Sequence, residues 1–241
     1  GTQAIDTGII ASGGNTTQFG GLMNTTEQQK RGTCNNTRGI FCGGYKAYSP
    51  YPQVNNMDFI NIQSEGNAED FGDLTEARNQ LSCMTNATRA TLAGGGFPGF
   101  NNIDFITIAS TGNAQDFGDL QALRYGHTGF SSPTRGIFAG GYLTPGQTAS
   151  IDFFTIATLG NSEDFGDLSI GVGYNGSVTN STRGVITIND APNYTNALEF
   201  ITIATTGNAK DFGDADPSGS PAGKGMGDYP SGISDSHGGI E

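Results

Sequence analysis

The chain has 241 residues and a formal net charge of −12, from 11 Lys and Arg against 23 Asp and Glu. An acidic surface repels phosphate backbones, which argues against nucleic acid as a partner. No run of about 18 apolar residues is present to span a membrane, and no signal peptide is visible. Hydrophobic residues make up 34% and charged residues 14%, with 39 Gly, 15 Phe and no Trp. Such a composition alone would suit disorder, but regular β-branched runs supply apolar surface for a core.

In chain order, the first segment reads as two strands, Ile5 to Ser12 and Thr16 to Leu22. It contains IIASGGNTTQFGGL from Ile9, a worn copy of a sentence written four more times. The clear copies are NIQSEGNAEDFGDL from Asn61, TIASTGNAQDFGDL from Thr107, TIATLGNSEDFGDL from Thr155 and TIATTGNAKDFGD from Thr202. The shared Phe falls at Phe19, Phe71, Phe117, Phe165 and Phe212, at spacings of 52, 46, 48 and 47 residues. A second motif precedes it: TRGIFCGGY from Thr37, TRATLAGGG from Thr88, TRGIFAGGY from Thr134 and TRGVITIND from Thr182.

The unit from Arg124 to Leu168 shows the predicted strands. RYGHTGFSS is strand a and Pro133-Thr134 a turn. RGIFAGGY is strand b and LTPGQTA a loop. SIDFFTIAT is strand c, Leu159-Gly160-Asn161 a turn, and SEDFGDL strand d. Strand c carries an apolar–acid pair in every unit: Ile5-Asp6, Met57-Asp58, Ile103-Asp104, Ile151-Asp152 and Leu198-Glu199. Four short strands per period of about 40–50 residues predict one propeller blade per unit. The expected fold is all-β, one domain over 1–241. It is a five-bladed β-propeller of four-stranded antiparallel blades, with units near 5–56, 57–102, 103–150, 151–197 and 198–241. The N-terminal strands c and d are expected to pair with C-terminal strands a and b (225–241) and close the ring, which removes sticky sheet edges.

The Gly-Gly ending strand b, the following Tyr45 or Tyr142, and the aromatic in strand d resemble the kelch repeat of galactose-oxidase-like propellers. The units depart from it in strand d, where Phe71, Phe117, Phe165 and Phe212 replace the usual Trp. The wording of the repeat also resembles repeat-containing virion proteins of marine bacteriophages, tail-fibre proteins among them. That resemblance implies a virion component on the particle surface or tail, assembled in the host cytoplasm. Its expected partners are a host surface glycan or protein, or neighbouring virion subunits, and a homo-oligomer is compatible with it.

Residues that recur in every unit are expected to serve the scaffold. Asn67, Asn113, Asn161 and Asn208 follow Gly and suit the c–d turn. Arg38, Arg89, Arg135 and Arg183 are expected to pair with Asp70, Asp116, Asp164 and Asp211 at one end of each blade. Solvated surface charge is the alternative. Acid pairs such as Asp70 with Asp73 lack the EF-hand spacing, so turn capping is expected and no metal. Cys34, Cys42 and Cys83 are too few for a disulfide framework. Cys34 and Cys42 could face each other across one hairpin, and buried thiols are the simpler reading.

Function is expected where the units differ. The b–c loops begin at Tyr45, Phe97, Tyr142 and Asp190, and the d–a connections carry Arg78, Arg124, Tyr125 and His127. Together they supply a candidate binding set: Tyr45, Lys46, Tyr48, Tyr51, Phe97, Phe100, Tyr125, His127, Tyr142 and Tyr194. Aromatic rings offer large apolar area with little side-chain entropy to lose. With two His in the chain, the copper chemistry of galactose oxidase is not assembled, and no catalytic residue or cofactor is expected. The expected role is a non-enzymatic adhesive module. A purely structural virion part is the alternative, and an enzyme stands last.

Overall fold

A computed structural model describes residues 4–8, 14–24, 27–188 and 195–215. The segment assigned to ring closure and Tyr194 lie outside the described residues. Every regular element among those described is a β-strand.

β1 (Ala4–Thr7) and β2 (Thr17–Gly21) form an antiparallel pair. β3 (Glu27–Gln28) leads into the first full sheet, which holds β4 (Arg31–Cys34) and β5 (Arg38–Cys42). β6 (Tyr45–Lys46) turns back to pair with β3, and β7 (Asn56–Asn61) and β8 (Glu69–Asp73) complete the sheet. The second sheet is β9 (Ser82–Thr85), β10 (Arg89–Ala93), β11 (Phe100–Thr107) and β12 (Gln115–Arg124). The third is β13 (Thr128–Ser131), β14 (Arg135–Ala139), β16 (Gly146–Thr155) and β17 (Glu163–Val172), with β15 (Tyr142–Leu143) folded onto β16. The fourth is β18 (Ser177–Thr179), β19 (Arg183–Thr187), β20 (Ala197–Thr202) and β21 (Lys210–Asp214). All four repeat the antiparallel order a-b-c-d.

β12 and β17 are longer than the predicted strand d, and strand a starts later, at Thr128 in the third sheet. The reason is local. The b–c hairpin extends β11 and β16, and strand d keeps pairing with that extension as far as Arg124 and Val172.

The a–b turns explain the Thr-Arg motif. Asn35 Oδ1 accepts from the amides of Thr37 and Arg38, Asn86 Oδ1 from Thr88 and Arg89, and Asn180 Oδ1 from Thr182 and Arg183. Short amide side chains close such turns by mimicking backbone. Ser132 does the same in the third sheet.

The core lies between sheets rather than within one. Ile40, Cys42 and Met57 of the first sheet meet Leu92 and Ile106 of the second. Two further clusters join the second to the third and the third to the fourth. Strand b is therefore buried on both faces, as in Ala90 to Ala93. The shared Phe enters this core because strand d bulges opposite the apolar–acid pair: Met57 faces Gly72 but Asp58 faces Asp70, so Phe71 is the extra residue. A bulge re-aims a side chain. Phe71, Phe117 and Phe165 are each 2% exposed. Such burial stabilises by roughly 1.5–3 kcal/mol per ring.

Adjacent sheets are also fastened at the c–d turn. The Asp119 amide donates to Asn161 Oδ1 (3.0 Å), while Gly160 and Ser162 amides donate to Phe117 and Asp119 carbonyls (2.9 and 2.8 Å). The same three bonds join Asn113 to Phe71–Asp73, Asn208 to Phe165–Asp167 and Asn67 to Phe19–Gly21. The recurring Asn sits in the expected turn, and its side chain also locks that turn onto the preceding sheet.

The expected Arg–Asp pairs do not form. Arg38, Arg89, Arg135 and Arg183 instead lie over the strand-c rings Phe59, Phe105, Phe153 and Phe200, at 4.6, 4.6, 4.6 and 4.8 Å. Arg38, Arg89 and Arg135 then donate to Ile108, Ile156 and Ile203 carbonyls of the next sheet (2.8, 2.7 and 2.9 Å). Asp70, Asp116, Asp164 and Asp211 are exposed. A guanidinium that can stack on a ring and reach a carbonyl has no need of a solvated carboxylate two strands away.

No disulfide joins the three cysteines. Cys34 stands opposite Gly39 and Cys42 opposite Arg31, so the hairpin does not bring those two together. Cys42 Sγ lies 3.4 Å from Cys83 Sγ in the neighbouring sheet. That contact between sheets carries no signal in sequence spacing.

Candidate binding face

The glycine pair that ends strand b builds the loop face. Gly44, Gly95 and Gly141 amides donate to Arg78, Arg124 and Val172 carbonyls in the d–a connections (2.9, 2.8 and 2.6 Å). A Cβ on Gly43 would sit 2.3 Å from Arg78 O, and one on Gly94 would sit 2.7 Å from Arg124 O. Only glycine permits this approach, at φ of +60° and +57°. The b–c loops and d–a connections are thereby pinned side by side.

Beneath them lie buried ion pairs. Arg78 reaches Asp104 at 2.8 Å, with side-chain exposures of 0% and 1%. It also donates to Asn102 and Leu92 carbonyls, while the Thr75 amide and hydroxyl donate to Asp104. Arg124 pairs with Asp152 at 3.1 Å and donates to Ser150. Lys30 holds Asp58 at 3.3 Å and Glu27 at 2.9 Å. At the seam between the third and fourth sheets Val172 takes the Arg place, and Glu199 of β20 accepts from the amide and hydroxyl of Ser169. The strand-c acids thus anchor the d–a connections, a role not legible from their recurrence alone. Burial pushes the Asp152 carboxyl up despite Arg124, and burial pushes the Arg78 and Arg124 guanidinium groups down.

His127 does not join the loop face. It is buried, and its ring lies 5.7 Å from Phe138. Leu81 holds the corresponding place before β9. Burial, with Arg124, Arg31 and Arg78 nearby, pushes the imidazole well below its usual value. The unfolded chain, with a His pKa of about 6.5, therefore binds a proton that the fold refuses. Stability present above that value is lost as pH falls through it. His127→Leu is expected to flatten the decline of Tm between about pH 7 and pH 5 relative to the parent, read by thermal unfolding across that range.

The aromatic residues of the remaining set converge. Tyr45 and Tyr51 meet edge-on at 6.3 Å. With Gln53, Asn79 and Phe97 they line a hollow of about 390 Å³. Phe97 is 75% exposed and continues into a row: Phe97–Tyr125 at 5.7 Å, Tyr125–Tyr142 stacked at 5.3 Å and 16°, Tyr142–Tyr174 at 5.1 Å. Burial, then Tyr142, pushes the Tyr125 hydroxyl up, so it stays a neutral donor. Tyr48 is exposed, with Lys46 Nζ 6.0 Å from its ring centre. Phe100 stands apart: it is the first residue of β11, half-buried against Gly96.

Two residue types escaped the sequence reading. Tyr174, in the d–a connection after β17, closes the ring row. A band of amides surrounds the hollow: Asn79 and Gln80 donate to Gln29, Tyr45 donates to Gln28, and Tyr174 donates to Gln80. Among the described residues, the non-glycine positions with positive φ are Gln29, Tyr51, Gln80 and Tyr174, all on this face. Residues held in that region cost about 1–3 kcal/mol each and gather at functional sites. No three His, Cys, Asp or Glu among the described residues come together as metal ligands.

A scan against protein-family models finds no match to this chain, and a search of curated proteins finds none either.

Proposed function

We propose that this chain is a non-enzymatic binding module that adheres to a surface glycan or protein through the Tyr45–Tyr174 face. The observation that carries the reading is the hollow between Tyr51 and Phe97, where exposed rings stand beside amide side chains. Rings stack on the apolar faces of sugars and amides satisfy hydroxyls, so this pairing suits a saccharide. The four repeated a-b-c-d sheets and the separate c-d pair suit a five-bladed propeller. In the virion setting that the repeat wording suggests, the module is a tail-fibre or spike part contacting a host surface. Weak sites there gain strength from many copies per particle.

The test is glycan-array screening followed by titration calorimetry on the best binder. Phe97→Ala and Tyr51→Ala are each expected to weaken binding about tenfold, the loss typical of a central aromatic contact. Lys210→Ala, far from the face in β21, is expected to leave it unchanged. Phe97 also gives a second reading some weight, because it exposes a wholly apolar ring. If no glycan binds, and Phe97 becomes protected only in an assembled particle, the chain is a structural part packed against neighbouring subunits.

A further inference from the structure

Among the described residues the c–d turn clip is made four times and left undone once. Its donors are the Gly-Asn turns at 14–16, 66–68, 112–114, 160–162 and 207–209. Its acceptors are the Phe-Gly strands at 19–21, 71–73, 117–119, 165–167 and 212–214. Each turn from Gly66 onward docks on the acceptor of the preceding unit. One donor, Gly14–Asn15–Thr16, and one acceptor, Phe212–Gly213–Asp214, remain.

Three independent observations mark Phe212–Asp214 as an unfilled seat. A Cβ on Gly20, Gly72, Gly118 or Gly166 would lie 1.8–2.6 Å from the backbone of the docked turn, whereas one on Gly213 meets none of the described residues within 4 Å. Phe212 is 52% exposed, against 2% for Phe71, Phe117 and Phe165. Arg183 stacks on Phe200 but, among the described residues, has no carbonyl of a following sheet to bond, unlike Arg38, Arg89 and Arg135. At the other end, Gly14, Asn15 and Thr16 are all exposed, and Gly14 holds a positive φ like Gly112, Gly160 and Gly207.

We propose that Gly14–Asn15–Thr16 of the same chain docks on Phe212–Gly213–Asp214 as a fifth clip. Gly14 N–H donates to the Phe212 carbonyl, Thr16 N–H to the Asp214 carbonyl, and Asp214 N–H to Asn15 Oδ1. Donors and acceptors are equal in number within one chain, and joining two ends of one molecule is favoured over joining two molecules wherever the geometry allows. Docking also covers the Phe212 ring, which otherwise stays in water. The proposal rests on the ring reading above and adds the seam that completes it.

Amide hydrogen exchange on the full chain tests it at two protein concentrations. The Asp214 and Thr16 amides are expected to exchange within about tenfold of Asp119 and Ser162, at both concentrations. Asn15→Ala is expected to release Asp214 and leave Asp119 protected. Protection that grows with concentration overturns the proposal in favour of a second copy, and exchange at unprotected rates overturns it outright. The β1 amides not bonded to β2 report pairing with the C-terminal segment separately. Their protection with Asp214 unprotected would sink the clip and spare the ring.

Discussion

Asp104→Ala is expected to lower unfolding stability by about 3–5 kcal/mol, the cost of removing one partner of a buried ion pair. The pair is sealed, with Arg78 and Asp104 side chains 0% and 1% exposed. Burial already pushes the Arg78 guanidinium down, and the Asp104 carboxylate is the charge that most opposes that push. Removing the carboxylate leaves the cation in low dielectric with only the Asn102 and Leu92 carbonyls. It also strips the acceptor from the Thr75 amide and hydroxyl, which lie at the exposed rim of the pair. Urea unfolding of the parent and variant measures the loss. The double variant Asp104→Leu with Arg78→Met is expected to recover part of it, because removing both charges removes the uncompensated cation. A single variant within about 1 kcal/mol of the parent would mean that water reaches Arg78.

That pair also marks the border of what the sequence discloses. The repeat period, the Gly-Gly pairs and the Thr-Arg starts of strand b located the four-stranded sheets, because each is a local rule with a local period. The grouping of Tyr45, Tyr51, Phe97, Tyr125 and Tyr142 followed from where b–c loops and d–a connections must emerge. The contacts between sheets did not follow. Arg38 and Asp70 recur together, and recurrence suggested a pair. The actual partner is a ring in the same sheet and a carbonyl in the next, which identical units cannot distinguish by spacing. His127 was grouped with the loop face because it lies in a d–a connection. Its burial comes from Phe138 on a different strand. Cys42 and Cys83 sit 41 positions apart and meet across a sheet boundary. Each miss has the same cause. A repeat sequence specifies what one unit contains, while the side-chain partners belong to the seam between two units.

The seam itself should respond most sharply at Gly118. Gly118→Ala adds a Cβ that would lie 2.3 Å from the Gly160 carbonyl oxygen, closer than any real contact, and the obstacle is backbone rather than a movable side chain. The residue also holds a φ of +147°, which an alanine adopts only under strain. Gly112→Ala separates the two effects, since Gly112 has a φ of +154° but nothing within 4 Å of its Cβ position. Backbone strain alone is expected to cost Gly112→Ala about 1–3 kcal/mol. Gly118→Ala is expected to cost that and about 1–3 kcal/mol more, as the second and third sheets are pushed apart. The displacement would break the bonds from Gly160, Ser162 and Asp119 amides and loosen Phe117 from Phe154, whose rings now meet at 5.0 Å. Chemical unfolding of both variants checks the difference. Equal losses would mean that the c–d turn can slide along strand d without penalty. The clip would then be a consequence of packing and not a cause of it.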